Sequence, residues 1–308
     1  MGLGLDHDAF PEDFDSEALE RGYEMMREIV GSTEGVGLIV TPEFEAEVEK
    51  RLPPGAHPLS YRQDRGSLGA AMARVMTRED GGVDVIVDSR VLSAGQPPGV
   101  PERTFEHEAY HVAIRQRGEC LALAARGSFT GGVEDGFMNA AEIACEEFRV
   151  ELPICREHPS SHYRDFAEFL RATDDEVRDL SRTYQETAGE EDAVAIISRG
   201  IGERFGSIVT SVGYVAAAIE AGDLDLPDVD ARVAARLLGE HGPAVIRLLR
   251  RLPGADVAAD PDRLEEEVGE VAGALAGWLE EIGFRWREVD GNLHFDVLAP
   301  TRWLLQPR

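Results

Sequence analysis

Five consecutive residues have the types and spacing to hold a metal and move a proton: His107-Glu108-Ala109-Tyr110-His111. In an α-helix, residues four apart are about 40° out of register and one turn along the axis, so His107 and His111 share a face. Two imidazoles so placed can both reach one Zn²⁺ at about 2.0–2.1 Å. Glu108 stands beside the first ligand, placed to take a proton from a water that the metal polarises. The chemistry this pattern predicts is attack of that water on a carbonyl, with His107 and His111 as metal ligands and Glu108 as general base.

A catalytic zinc usually has three protein ligands, with water in the fourth position. The long metzincin pattern needs Gly at 114 and His at 117, and this chain has Ile114 and Arg117. No histidine occurs between His111 and His158. That leaves a carboxylate on a following helix, and Asn139–Phe148 supplies one. Met138, Ala141, Cys145 and Phe148 make an apolar stripe with Glu142 beside it, and Glu146 one turn further on. Glu142 is the favoured third ligand and Glu146 the second choice, with Glu134 and Asp135 as further ligand or supporting candidates. The plain alternative is that Glu142 completes a capping box with Asn139. His158 and His162 form a second i, i+4 pair, but Pro159 argues against one helix through both. His162 and Tyr163 are candidates to hold the oxyanion during hydrolysis; otherwise they are surface residues at the start of a helix.

These residues need elements to position them. Pro101 suits the first turn of the motif helix, with Glu102 near its positive end. Phe105, Ala109, Val112 and Ala113 form its core-facing stripe, and Arg115, Arg117 and Gly118 mark its end. Upstream, Ser16 is placed to cap a helix over 17–30 ended by Gly31, Val36–Val40 reads as a buried strand, and Pro42 opens a second helix. Ala70–Thr77 and Val83–Asp88 flank Glu79-Asp80-Gly81-Gly82 as a hairpin. From about His158 the pattern is helical, over 163–172, 174–187, 191–205, 207–221, 228–239, 243–251 and 262–282. Phe284–Glu288 and Leu293–Leu298 around Asp290-Gly291 predict a terminal hairpin.

The motif helix, about thirty residues to a second helix, Glu142 six residues before Phe148, and then Leu152-Pro153 resemble the ImmA/IrrE type of zinc peptidase. Members of that family often read E-x-x-A-N-x-F on the second helix, where this chain has Cys145 and Glu146 at the Ala and Asn positions. The resemblance covers about residues 70–155. It implies His107, His111 and Glu142 as ligands, Glu108 as base, and a regulatory protease acting on a protein such as a repressor, often in stress responses. The fold expected is α+β: a zincin-like metallopeptidase domain over 1–155, small sheet plus motif helix, and a mainly helical region over 156–308. That helical region is the candidate surface for a regulatory protein partner. Rival readings are a catalytically weak binding protein of the same fold, and a zinc hydrolase of a non-peptide amide or ester.

Composition narrows the partners. There are 59 acidic against 31 basic residues, a formal net charge of -28, and Lys50 is the sole lysine. Such a surface repels phosphate backbones, so nucleic acid is not an expected partner. The apolar windows around Ile208–Ile219 and Val271–Leu279 read as too short to cross a bilayer. Cys120, Cys145 and Cys155 form no CxxC pair, which fits a reduced compartment, and residues 1–10 lack a signal-peptide pattern. A cytoplasmic enzyme with a protein or peptide substrate and Zn²⁺ as cofactor is the expectation.

Overall fold

The run Val83–Asp88 is buried along its whole length, as a β-branched segment flanked by strands on both sides should be. The computed structural model describes residues 2–5, 13–52, 72–119, 132–158, 161–187, 192–222 and 224–298. It contains two compact units, Met1–Gly118 and Glu119–Arg308.

In the first unit, strands β1 (Gly2–Leu5), β2 (Val36–Thr41), β3 (Ala73–Thr77) and β4 (Val83–Asp88) form a sheet in the order β1-β2-β4-β3. β1, β2 and β4 run parallel, and β3 pairs antiparallel with β4. Its helices are α1 (Ser16–Val30), α2 (Phe44–Glu49) and α3 (Val100–Gln116). Strand alternation sends Val83, Val85 and Val87 into a cluster with Met26 of α1 and with Phe105, Ala109 and Val112 of α3. Ile86 and Met76 instead meet Phe44 and Val48 of α2. The sheet thus presents a fixed apolar floor to the motif helix, each fully buried large side chain being worth about 1.5–3 kcal/mol.

The expected hairpin is present, closed by Arg78 N–H donating to the Gly82 carbonyl at 2.7 Å, with Gly81 at φ 81°. Residues 70 and 71 of the expected first strand lie outside the described residues. Two starts differ from expectation. Asp15 caps α1 by accepting from the Ala18 N–H at 2.9 Å, one residue before Ser16. The second helix opens at Phe44, not at Pro42. Asp84 is buried in β4 between the guanidinium groups of Arg51 and Arg78, at 2.8 and 2.7 Å. Gly37, its partner in register on β2, leaves room for that carboxylate, since a Cβ there would sit 2.5 Å from Oδ1.

The second unit holds α4 (Val133–Glu157), α5 (Ser161–Glu186), α6 (Ala193–Gly222), α7 (Ala231–Leu237), α8 (His241–Leu249), α9 (Pro261–Glu281) and the hairpin β5 (Phe284–Val289) with β6 (Asn292–Val297). Helix α4, placed by the sequence reading in a domain ending at 155, belongs to this second unit. Helix α4 ends at Glu157 and α5 starts at Ser161, so His158 and His162 do not share one helix. The terminal hairpin turns at Asp290 and Gly291, both at positive φ.

Two pairs of expected helices are each one helix. The expected break at Thr173-Asp174 is bridged inside α5, where the Thr173 hydroxyl donates to the Phe169 carbonyl and Asp174 accepts from Arg236. Gly206 lies mid-helix in α6 with open space around it, a cost of about 1 kcal/mol that a long buried helix tolerates. Merging makes α6 long and apolar enough to cross a membrane by length and composition, with mean hydropathy 1.3 over its best window. That window is 67% buried inside the protein, and α6 packs on α4 and α5, as a core helix does.

Pro153 inside α4 lacks an N–H, which orphans the Arg149 carbonyl one turn earlier. The Ala255 N–H takes up that carbonyl at 2.7 Å. The Arg149 side chain is buried against Glu119, with Nη2 donating to its carboxylate at 2.5 Å and Nε to the Pro253 carbonyl at 3.1 Å.

Candidate metal centre

Helix α3 is positioned from its ends and its buried stripe. Gly99 enters at φ 86°, Pro101 lies in the first turn, and Gly118 stops the chain at φ 69°. Glu102 at the positive end pairs with Arg21 of α1 at 2.8 Å. At about 100° per residue, His107 and His111 fall about 200–240° around the helix from Phe105. The two imidazoles therefore leave the side of α3 away from the sheet. Both are half-buried, while Glu108 is 6% exposed.

The histidine Nε2 atoms lie 3.1 Å apart, and the ring planes meet at 69°. Two tetrahedral zinc ligands at about 2.0–2.1 Å from the metal would be about 3.3 Å apart. Rings tied only by a hydrogen bond to each other need no third partner. Among the described residues, though, one group of three side chains can hold a metal ion. It consists of His107, His111 and Glu147, whose ligand atoms all lie within 4.8 Å of one another. Two imidazoles and a carboxylate are a donor set that zinc takes, with one position left open.

The carboxylate in this group is Glu147 of α4; Glu142 and Glu146, favoured by the sequence reading, are not in it. Five residues along a helix turn Glu147 about 140° from Glu142. Glu142 and Glu146 are half-buried, whereas Glu147 is 8% exposed. Ala144, Glu147, Glu151 and Ile154 follow core spacing, and all four are buried. Carboxylates at core positions are costly without a partner, and that was the sequence signal for Glu147. Glu134 is exposed and Asp135 half-buried in the first turn of α4, and neither joins the group.

His162 and Tyr163 sit at the start of α5. The His162 ring stacks on Tyr214 of α6, centroids 4.4 Å apart at 18°. The Tyr163 hydroxyl donates to the Asp225 backbone carbonyl at 2.7 Å. His158 is exposed at the end of α4, and neither it nor His162 joins the metal group. Cys145 is buried, and burial pushes its thiol pKa up, as suits a packing residue. Cys155 is half-buried, with its sulfur 3.8 Å from a Glu151 oxygen. Cys120 lies outside the described residues.

No protein-family model, curated protein or solved structure matches this chain.

Proposed function

We propose that the chain is a zinc-dependent peptide hydrolase, with the metal held by His107, His111 and Glu147 and with Glu108 as the general base. The observation that carries the proposal is the gathering of two imidazoles and one buried carboxylate, with a second carboxylate beside the first histidine. Zinc bound there would polarise a water and a substrate carbonyl. Glu108 is one residue from His107 and nearly buried, so its carboxylate can take a proton from that water and pass it to the leaving amine. The stripe Phe105, Ala109, Val112 is locked against α1 and the sheet, which keeps both imidazoles and Glu108 on one rigid helix. The substrate class is a protein or peptide. The resemblance to ImmA/IrrE peptidases extends this to a regulatory protease acting on one protein target in the cytoplasm. A net charge of -28 sets the surface against nucleic acid and favours basic segments in the substrate.

The test is Glu108→Gln, which keeps shape and packing but cannot take the proton. The variant should retain zinc while hydrolysis of a peptide library falls about 10²–10⁴-fold. A zinc-loaded wild type that cleaves neither peptides nor proteins would defeat the proposal and favour a binding protein. Cleavage confined to small amides or esters would favour the non-peptide hydrolase.

A further inference from the structure

Helix α6 crosses α4 at the segment that carries Glu147, and one residue there controls how close the two backbones come. We infer that Gly213 is a positioning residue for the metal centre: it holds the Glu147 backbone where the carboxylate reaches the metal. The inference rests on Glu147 being a ligand. A Cβ built on Gly213 would lie 2.8 Å from the Ala144 carbonyl oxygen, 3.3 Å from the Glu147 Cβ and 3.4 Å from the Phe148 nitrogen. Two of these are backbone atoms of α4, which cannot rotate aside as a side-chain tip can. Ala144 and Phe148 are fully buried, so this stretch of α4 has no free side toward which to retreat.

Other glycines of α6 behave differently. Gly200 faces the Leu180 side chain, and Gly206 has nothing within 4 Å. Glycine weakens a helix interior relative to alanine, and Gly213 is flanked by buried Val212, Tyr214 and Val215. The close approach to α4 accounts for a glycine at this point. The carboxylate of Glu147 reaches out on a short stem, so its ligand atom follows any displacement of its own Cα. A methyl at 213 wedges α4 away from α6 and moves that atom with it.

The experiment measures zinc affinity by competition with a chromophoric chelator, on folded full-length chains, for Gly213→Ala, Gly206→Ala, Glu147→Ala and wild type. Thermal unfolding of each metal-free protein is followed in parallel. Gly213→Ala should weaken zinc binding about 10- to 100-fold, the range seen when residues behind a ligand are changed. Gly206→Ala should leave it unchanged. A packing role alone would lower the melting temperature of metal-free Gly213→Ala and leave zinc affinity of the folded chain as in wild type; that result overturns the inference. If Glu147→Ala binds zinc normally, the ligand reading falls, and this inference with it. If Glu147→Ala loses zinc and Gly213→Ala does not, the inference alone falls. Glu147→Asp tests the same lock should Gly213→Ala fail to fold. A backbone held in place cannot make up the missing methylene, so Glu147→Asp should lose zinc nearly as fully as Glu147→Ala. Near-normal zinc affinity in Glu147→Asp would show a backbone free to adjust and would overturn the inference.

Discussion

Replacing Gly22 with alanine tests how the motif helix is seated. Gly22 lies on the buried face of α1, and a Cβ there would be 2.3, 2.6 and 2.8 Å from three ring carbons of Phe105. Carbon atoms settle about 3.5–4.0 Å apart, so the added methyl would overlap the ring by about 1.2 Å. Phe105 is fully buried among α1, α3 and the sheet and cannot swing aside. Overpacking of a core costs about 1–3 kcal/mol, and an overlap this deep belongs near the top of that range. Against it stands a gain of about 0.8–1.0 kcal/mol from replacing glycine in a helix. The net expectation is a loss of about 1–2 kcal/mol, read by urea unfolding followed by circular dichroism. Pairing Gly22→Ala with Phe105→Leu should relieve the clash and show a coupling of about 1 kcal/mol or more. Phe105 is two residues before His107, so the single variant should also weaken zinc binding. A Gly22→Ala variant stabilised by about 0.4–1 kcal/mol, as at an unhindered helical glycine, would show that the Phe105 ring does not block a methyl there.

Two further outcomes follow from the second unit. Asp174 accepts two bonds from buried Arg236, at 2.6 and 2.5 Å, so Asp174→Ala should cost about 3–5 kcal/mol by removing one member of a buried ion pair. A loss under about 1 kcal/mol in chemical denaturation would contradict this. Glu281 takes the N-terminal N–H groups of α8, accepting from the backbone of Glu240 and His241 and from the His241 ring. Burial pushes this carboxyl up, but those donors outweigh it and hold its pKa below the ordinary glutamate value. A lowered folded pKa gives stability that is full above the ordinary glutamate value and is lost as pH falls from there through the depressed folded value. Glu281→Gln should therefore be less stable than wild type near neutral pH, with the difference shrinking in acid. A difference that grows in acid would reverse the assignment.

The motif helix was readable because everything it needs is local: the histidine spacing, the apolar stripe, Pro101 at the start and Gly118 at the end. Both hairpins were readable from turn residues whose positive φ is visible in their type, Gly81 and Asp290-Gly291. The carboxylate that groups with the two histidines was not. Choosing among Glu142, Glu146 and Glu147 is a choice of helix face, and the stripe through Met138 and Cys145 left Glu142 looking best placed. The buried line Ala144, Glu147, Glu151 and Ile154 is set by α6 and α9 packing on α4, which local sequence does not display. The breaks expected near Thr173 and Gly206 failed for the same reason. Arg236, 62 residues from Asp174, makes a polar helix position acceptable in α5, and burial carries α6 through its glycine. Strand β1 is four residues, Gly-Leu-Gly-Leu, too short for a period to show, and its partner β2 is separated from it by α1.

Whether His107 and Glu147 hold zinc is decided by metal analysis after purification, on wild type beside His107→Ala, Glu147→Ala and Glu142→Ala. Folded wild type should carry about one zinc per chain, the count of a single three-ligand catalytic site. Zinc should be lost from His107→Ala and Glu147→Ala and retained in Glu142→Ala. Zinc retained by Glu147→Ala and lost from Glu142→Ala would contradict the assignment, and a folded wild type that takes up no zinc would contradict the metal centre itself.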